Sequence, residues 1–242
     1  MTAARKRHGG AHRPASSVAK RDLLTAPVED YLKVIYELEL HGDAAATNDI
    51  AARLSIAPPS VSGMVRRLAG QGLLSHEPYR GVRLTAAGRR AALGTIRRHR
   101  VIETYLARVL GYPWDGVHAE AERLEHAASE ELVDRMAAAL GEPARDPHGA
   151  PIPTREGAVD ETLHRLLSEL SAGETARIAS VRDDDGRMLR YLAELGMRPG
   201  VVVTILERAP FEGPVVMTVD GVRQVVGAKV LASIGVEGSA AP

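Results

Sequence analysis

Apolar positions first become regular at residue 28. Val28, Tyr31, Leu32 and Ile35 lie three and four residues apart, which predicts a helix that Thr25 can cap, Pro27 can open and His41-Gly42-Asp43 ends, close to Leu40. A short second helix is expected over Asn48–Leu54, capped by Thr47. Pro58-Pro59 can only open a helix, and Val61, Met64, Val65 and Leu68 give the third, about Pro59–Ala69, its inward face before Gly70-Gln71-Gly72 stops it. Leu73-Leu74 and Val82-Arg83-Leu84 flank Pro78-Tyr79-Arg80-Gly81 as a hairpin. A long helix is expected from Ala86 to Leu110, then two more over Trp114–Ala127 and Glu130–Leu140. Asp146 to Pro153 reads as a rigid loop, and Val159–Leu170 as a short helical stretch or a tether. Beyond Gly173 the period becomes two. Strands are expected at Thr175–Val181, Val201–Leu206, Val215–Val219 and Gln224–Val226, with a helix at Met188–Leu195, which together predict a small β-barrel.

Two short helices with a tight link and a following hairpin form a winged helix-turn-helix pattern. Charge agrees with it. Residues 1–110 hold 18 Lys and Arg against 9 Asp and Glu, a charge of +9, whereas residues 111–242 hold 13 against 22, a charge of −9. A basic half suits a polyanion, and an acidic half suits a cation or plain solvation. Arg5, Lys6, Arg7 and Arg13 lie among Gly, Ala and Ser in residues 1–21, which reads as a disordered basic arm or as an extension with no role. Hydrophobic residues make up 45% of the chain, with one Trp and one Phe, so the core must be aliphatic. No cysteine is present, which excludes disulfides, thiolate metal sites and iron–sulfur clusters. No run approaches the ~18 apolar residues of a membrane span. The basic N-terminus is not followed by an apolar stretch, so no secretion signal and a cytoplasmic location are expected.

Candidate chemistry falls in two places. The third helix offers Pro59, Ser60, Ser62, Gly63, Arg66 and Arg67 on its polar side, where small residues let the backbone approach a major groove and the arginines can meet phosphate or guanine. Arg80 and Arg83 on the wing are placed to meet the flanking backbone. Solvated charges on a helical surface are the competing explanation. The second place is a pair of ladders. His118, Glu122, Glu125 and His126 form one stripe, and His99 and Glu103, four apart, form another on the preceding helix. Six ligand-type residues in two ladders point to a divalent cation, with pairing of charges along each helix as the alternative.

Several motifs resemble the diphtheria toxin repressor family of metalloregulators. Asp30-Tyr31-Leu32-Lys33-Val34-Ile35-Tyr36-Glu37-Leu38 resembles its opening helix. Pro59-Ser60-Val61-Ser62, Arg80-Gly81-Val82-Arg83-Leu84-Thr85 and Gly88 resemble its recognition helix and wing. His118 to Glu125-His126 and Pro147-His148-Gly149-Ala150-Pro151-Ile152-Pro153 resemble its metal helix and loop. Leu195-Gly196-Met197-Arg198-Pro199-Gly200 resembles the FeoA-type, SH3-like domain of its longer members.

The resemblance implies a mainly α chain with a small β part. Its divisions are the arm at 1–21, a winged-helix DNA-binding domain at 22–94 and a helical metal-binding and dimerisation domain at 95–145. A linker follows at 146–173, then the SH3-like barrel at 174–238. It implies a homodimer on a double-stranded DNA operator, one or two dimers per operator, and no catalysis. It also implies a primary metal site of Asp30, Glu122, Glu125 and His126, and an ancillary site of His99, Glu103 and His118 with Asp185 from the C-terminal domain. Iron-type members carry Met and Cys where this chain has Asp30 and Glu122, and hard carboxylates suit manganese, so Mn2+ is expected with Fe2+ as the alternative. One departure is Lys33, where short manganese regulators place a Glu. A metal-dependent hydrolase and a metal-independent winged-helix regulator are the other two readings, although no HExxH motif or nucleophile elbow is present.

Overall fold

The computed structural model describes residues 24–40, 42, 44–77, 81–182 and 184–238. The basic arm and Arg80 lie outside the described residues. Helices α1 (Ala26–Leu40), α2 (Thr47–Leu54) and α3 (Pro58–Gly70) precede the antiparallel hairpin β1 (Leu74–Glu77) and β2 (Gly81–Leu84). The first four-residue spacing holds, since Val28, Tyr31, Leu32, Ile35 and Tyr36 are buried. They meet Ile50 of α2, Val61, Val65 and Leu68 of α3, and Leu74 and Val82 of the hairpin in one core. Thr47 does not cap α2. It is the first helical residue, and Ala46 precedes it with no side-chain cap.

Helix α4 (Ala86–Arg108) is the spine of the molecule. Thr85 caps it by accepting from Gly88 N at 3.1 Å and donates from its own hydroxyl to Gly72 O at 2.7 Å. Gly88 is obligatory there, because a Cβ would lie 2.0 Å from Leu73 O. Ala92, Leu93 and Ile96 complete the winged-helix core, whereas Val101, Ile102 and Leu106 pack under α5 (Val117–Leu124) and α6 (Glu130–Ala139). Helix α5 is shorter than the expected Trp114–Ala127. Turns flank it on both sides, so Glu125 is its C-cap, its backbone N still donating to Ala121 O at 2.9 Å, and His126 lies in the turn beyond it.

The expected strands at 175–181 and 215–219 are present as β4 (Thr175–Val181) and β6 (Val215–Val219), and the other two as β5 (Val202–Arg208) and β7 (Val222–Val226). The helix expected at Met188–Leu195 is α7 (Gly186–Glu194). Val159–Leu170 holds no α-helix. It is an extended segment ending in β3 (Arg165–Leu166) and a single 3-10 turn. A short helix α8 (Ala228–Leu231) and the strand β8 (Ile234–Gly238) were not anticipated. The antiparallel order β3-β8-β4-β5-β6-β7 gives the expected SH3-like unit as a six-stranded sheet whose ring is not closed among the described residues. Bulges at Ile178/Ser180 and Ile205/Glu207 coil it.

The sheet is joined to the helical part through one aromatic side chain and one loop. Trp114, between α4 and α5, belongs to the core of the sheet, with Leu189, Leu192, Met197 and Ile178. Its Nε1 donates to Pro147 O at 2.9 Å, and Val181 N of β4 donates to His148 O at 2.8 Å. Gly149 (φ 88°) passes so close to β4 that a Cβ would lie 2.1 Å from Ala179 O. Replacing Gly149 by Ala combines a left-handed backbone with a backbone clash and should cost at least about 2 kcal/mol. Urea unfolding followed by the fluorescence of Trp114 measures it, and an unchanged midpoint would contradict this packing.

Candidate metal centre

The buried face of α4 carries the site. Its polar residues Arg97, His99 and Glu103 are 8, 4 and 0% exposed, which is tolerated only if each is paired. His99 answers that demand at both nitrogens. Its Nε2 lies 3.0 Å from Glu103 Oε1, and its Nδ1 lies 2.5 Å from Glu125 Oε2. Burial opposes the charge, but the Glu103 and Glu125 carboxylates outweigh it and push the imidazole up to about 10. For Glu103, burial works against ionisation, yet His99, His118 and His148 hold it well below the usual carboxylate range.

The residues expected at a primary site come together from two parts of the chain. Asp30 of α1 places Oδ1 2.9 Å from His126 Nε2, and Glu125 Oε1 lies 3.6 Å from the same nitrogen. One ligand-type atom from each of Asp30, Glu125 and His126 lies within 4.8 Å of the others. Glu122 lies towards the other ladder, where it groups with His99 and His118 by the same measure. Burial, with Glu122 and Glu125, raises Asp30 above the ordinary carboxylate range although His126 and Lys33 pull it down.

The residues expected at an ancillary site also divide. His99, Glu103 and His118 are mutual neighbours, with His118 Nδ1 3.2 Å from Glu103 Oε1 and 3.1 Å from His99 Nε2. Asp185 is not in these groups among the described residues. It caps α7 by accepting from Arg187 N at 2.9 Å. A third group forms instead from Glu103, Asp146 and His148, which are 0, 5 and 0% exposed. His148 donates from Nε2 to Trp114 O at 3.0 Å and places Nδ1 3.9 Å from Glu103 Oε2. Asp146 Oδ1 accepts from His148 N and Ala150 N, so the loop is folded around the carboxylate that faces the group. Carboxylate and imidazole donors this close, with Glu103 Oε2 buried and without a hydrogen-bond partner among the described residues, fit a divalent cation.

Sequence reasoning missed four participants. Asp146 and His148 lie in a segment whose Pro and Gly content predicts only a rigid loop, although the Asp-x-His spacing is a signal. Glu29 accepts from Arg98 and lies 2.7 Å from His126 Nδ1, orienting the ring whose other nitrogen faces Asp30. No pattern in α1 distinguished Glu29 from a solvated acid. Lys33, noted only as a departure, enters the cluster itself. Its Nζ donates to Glu122 Oε1 at 2.6 Å and lies 3.3 Å from Glu125. Burial opposes that ammonium, but Glu125 and Glu122 raise its pKa, and it in turn helps lower that of Glu122 against burial.

The DNA-facing residues are also placed. Pro59, Ser60, Ser62, Gly63, Arg66 and Arg67 are all exposed along α3, opposite the buried Val61, Val65 and Leu68. Arg66 Nε donates back to Ser62 O at 3.3 Å, and Arg83 is exposed on β2.

Three family models together match most of the chain. Residues 23–82 match the iron dependent repressor N-terminal DNA binding domain, and residues 85–154 match the iron dependent repressor metal binding and dimerisation domain. Residues 165–238 match the FeoA domain. The iron-dependent repressor IdeR of Mycobacterium tuberculosis is 37% identical over 196 residues, 75% of this chain and 84% of that protein. The diphtheria toxin repressor of Corynebacterium jeikeium is 34% identical over 209 residues, 77% of this chain and 87% of that protein. A solved manganese-dependent transcriptional repressor in complex with manganese superposes with a TM-score of 0.82 at 40% identity, covering 88% of this chain and 100% of that one.

Ligands must be deprotonated to bind a cation, and His99 with a pKa of about 10 carries a proton at neutral pH. Cation affinity at the His99 group should therefore rise with pH between 6 and 8, by about tenfold per unit for one displaced proton. Calorimetric titration in buffers of different ionisation enthalpy counts the protons released. An affinity flat across that range would contradict the protonated pair.

Proposed function

The chain belongs to the diphtheria toxin repressor family of metal-dependent transcriptional repressors, and from that premise we propose that it is a manganese-dependent repressor of metal-homeostasis genes. The observation that carries this reading is the meeting of Asp30 on α1 with Glu125 and His126 beyond α5, which joins the DNA-binding helices to the dimerisation helices at one cluster. The primary ligands in this proposal are Asp30, Glu122, Glu125 and His126. The second set comprises Glu103, Asp146 and His148, with His99 and His118 between the two. Asp185 is dropped from the second set, because it is engaged as the cap of α7.

Manganese is favoured by the donor chemistry. Every candidate ligand is a carboxylate or an imidazole, and the chain has no cysteine to supply a thiolate. A bound divalent cation supplies the positive charge that lets several carboxylates stay close together. Asp30 then fixes α1 relative to α4 and α5, Glu29 holds the His126 ring, and Arg98 holds Glu29. The consequence for α3 is a fixed orientation relative to its partner copy, so that two recognition helices can meet successive major grooves. Exposed Val109, Leu110, Leu124 and Leu132 at the ends of α4, α5 and α6 support a homodimer contact there.

The proposed divisions are a winged-helix domain at 22–94, a metal-binding and dimerisation domain at 95–145, a linker at 146–173 and an SH3-like domain at 174–238. The first boundary falls within α4, which makes that helix a rigid rod between reading and sensing.

Substituting Asp30 by Ala should remove metal-stimulated DNA binding, a coupling of about 5- to 150-fold if it has the size typical of allosteric linkage between two sites. Gel-shift titration on DNA enriched from random fragments by the manganese-loaded protein provides the readout, run anaerobically with Mn2+ and Fe2+ in parallel. Full manganese activation of the variant would remove the bridging role. Activation by Fe2+ at lower free concentration than Mn2+ would move the assignment to iron.

A further inference from the structure

Lys33 is surrounded as a bound cation would be. Its Nζ lies 2.6 Å from Glu122 Oε1 and 3.3 Å from each Glu125 oxygen. These three oxygen atoms belong to two of the side chains that the proposed function assigns to the primary metal site. The lysine side chain is 12% exposed and that of Glu125 is 0% exposed, so this is an interior pairing rather than a surface one. A carboxylate as buried as Glu125 requires a compensating charge whenever the site lacks an ion. Lys33 and His99 supply it.

We infer that the Lys33 ammonium is a tethered cation that fills the ligand shell of the ion-free chain and must leave it when a divalent cation binds. This rests on the reading of the Asp30 cluster as a metal site. An ion that takes Glu122 or Glu125 as a ligand takes oxygen atoms that now accept from Lys33. A divalent cation on these oxygens would bring two further charges against the Lys33 ammonium and the His99 imidazolium that the buried Glu125 carboxylate already holds, and the repulsion favours release of the mobile Lys33 head. The four-carbon stem of Lys33 lets its head swing out while keeping its proton, so the exchange is of one tethered cation for one free one. Lys33 thereby sets the free metal concentration at which the site fills.

A purely structural lysine makes the opposite prediction. If Lys33 served only to pin α1 to α5, its removal would loosen the shell and weaken metal binding. As a competitor, its removal strengthens metal binding and destabilises the metal-free chain. The experiment compares the full chain with Lys33→Gln and Lys33→Arg, measuring free Mn2+ by electron paramagnetic resonance and thermal unfolding with and without Mn2+. For Lys33→Gln, the expected results are manganese binding about tenfold tighter or more, a lower Tm without metal and a larger rise in Tm on adding Mn2+. Lys33→Arg keeps the charge, so its affinity should be no tighter than that of the parent chain. Equal or weaker binding by Lys33→Gln, or tighter binding by Lys33→Arg, overturns the inference and leaves the metal site standing. Absence of Mn2+ binding by the parent chain overturns both.

Discussion

Charge buried on one face of α4 is the constraint from which the rest of the architecture follows. His99 and Glu103 lie four residues apart in the interior, and neither can remain there unless other elements bring partners. Helix α1 brings Lys33, α5 and its following turn bring His118, Glu122 and Glu125, and the loop after α6 brings His148 and Asp146. The hydrophobic clusters between α4, α5 and α6 are small beside those of the winged helix and the sheet. Ionic contacts therefore bear an unusual share of the organisation in the middle of the molecule. A centre held by exchangeable charges is sensitive to what cation is present, which a hydrocarbon core would not be.

The same economy explains why a single rod serves two functions. Helix α4 contributes Ala92, Leu93 and Ile96 to the winged-helix core at one end and His99 and Glu103 to the cluster at the other. Movement of α1 against α4 is limited at the Asp30 end by His126 and, further along, by Tyr36, whose hydroxyl donates to Glu161 at 2.6 Å. Arg89 pairs with Glu161 too and stacks over the Tyr36 ring. The extended segment after the loop thus ties back onto the DNA-binding helices, so its role goes beyond spacing two domains.

Local chemistry made much of this legible in the chain. Periodicity located α3 and its buried Val61, Val65 and Leu68, and alternation located β4 and β6 to the residue. The failures have physical causes. Strand β8 contains Gly235 and Gly238 and pairs with β4, more than fifty residues earlier, so no local signal announces it. The stripe from His118 to His126 assumed one continuous helix. The turn after Leu124 instead sends His126 to Asp30 while Glu122 meets Lys33, so residues that share a stripe on paper face different partners. Lys33 itself was visible as an oddity, but only the packing of α1 against α5 shows that its charge points into the cluster.

Trp114 has a bearing on how such a chain can be assembled or dismantled. It is donated by the helical centre yet is enclosed by the C-terminal sheet, and its indole is stacked by Arg198 at 4.7 Å. Helical and β parts are therefore not separable beads on a string. A shortened relative ending before β3 would present a large aromatic surface to water, and gaining or losing the C-terminal unit would require a matching change at this one position.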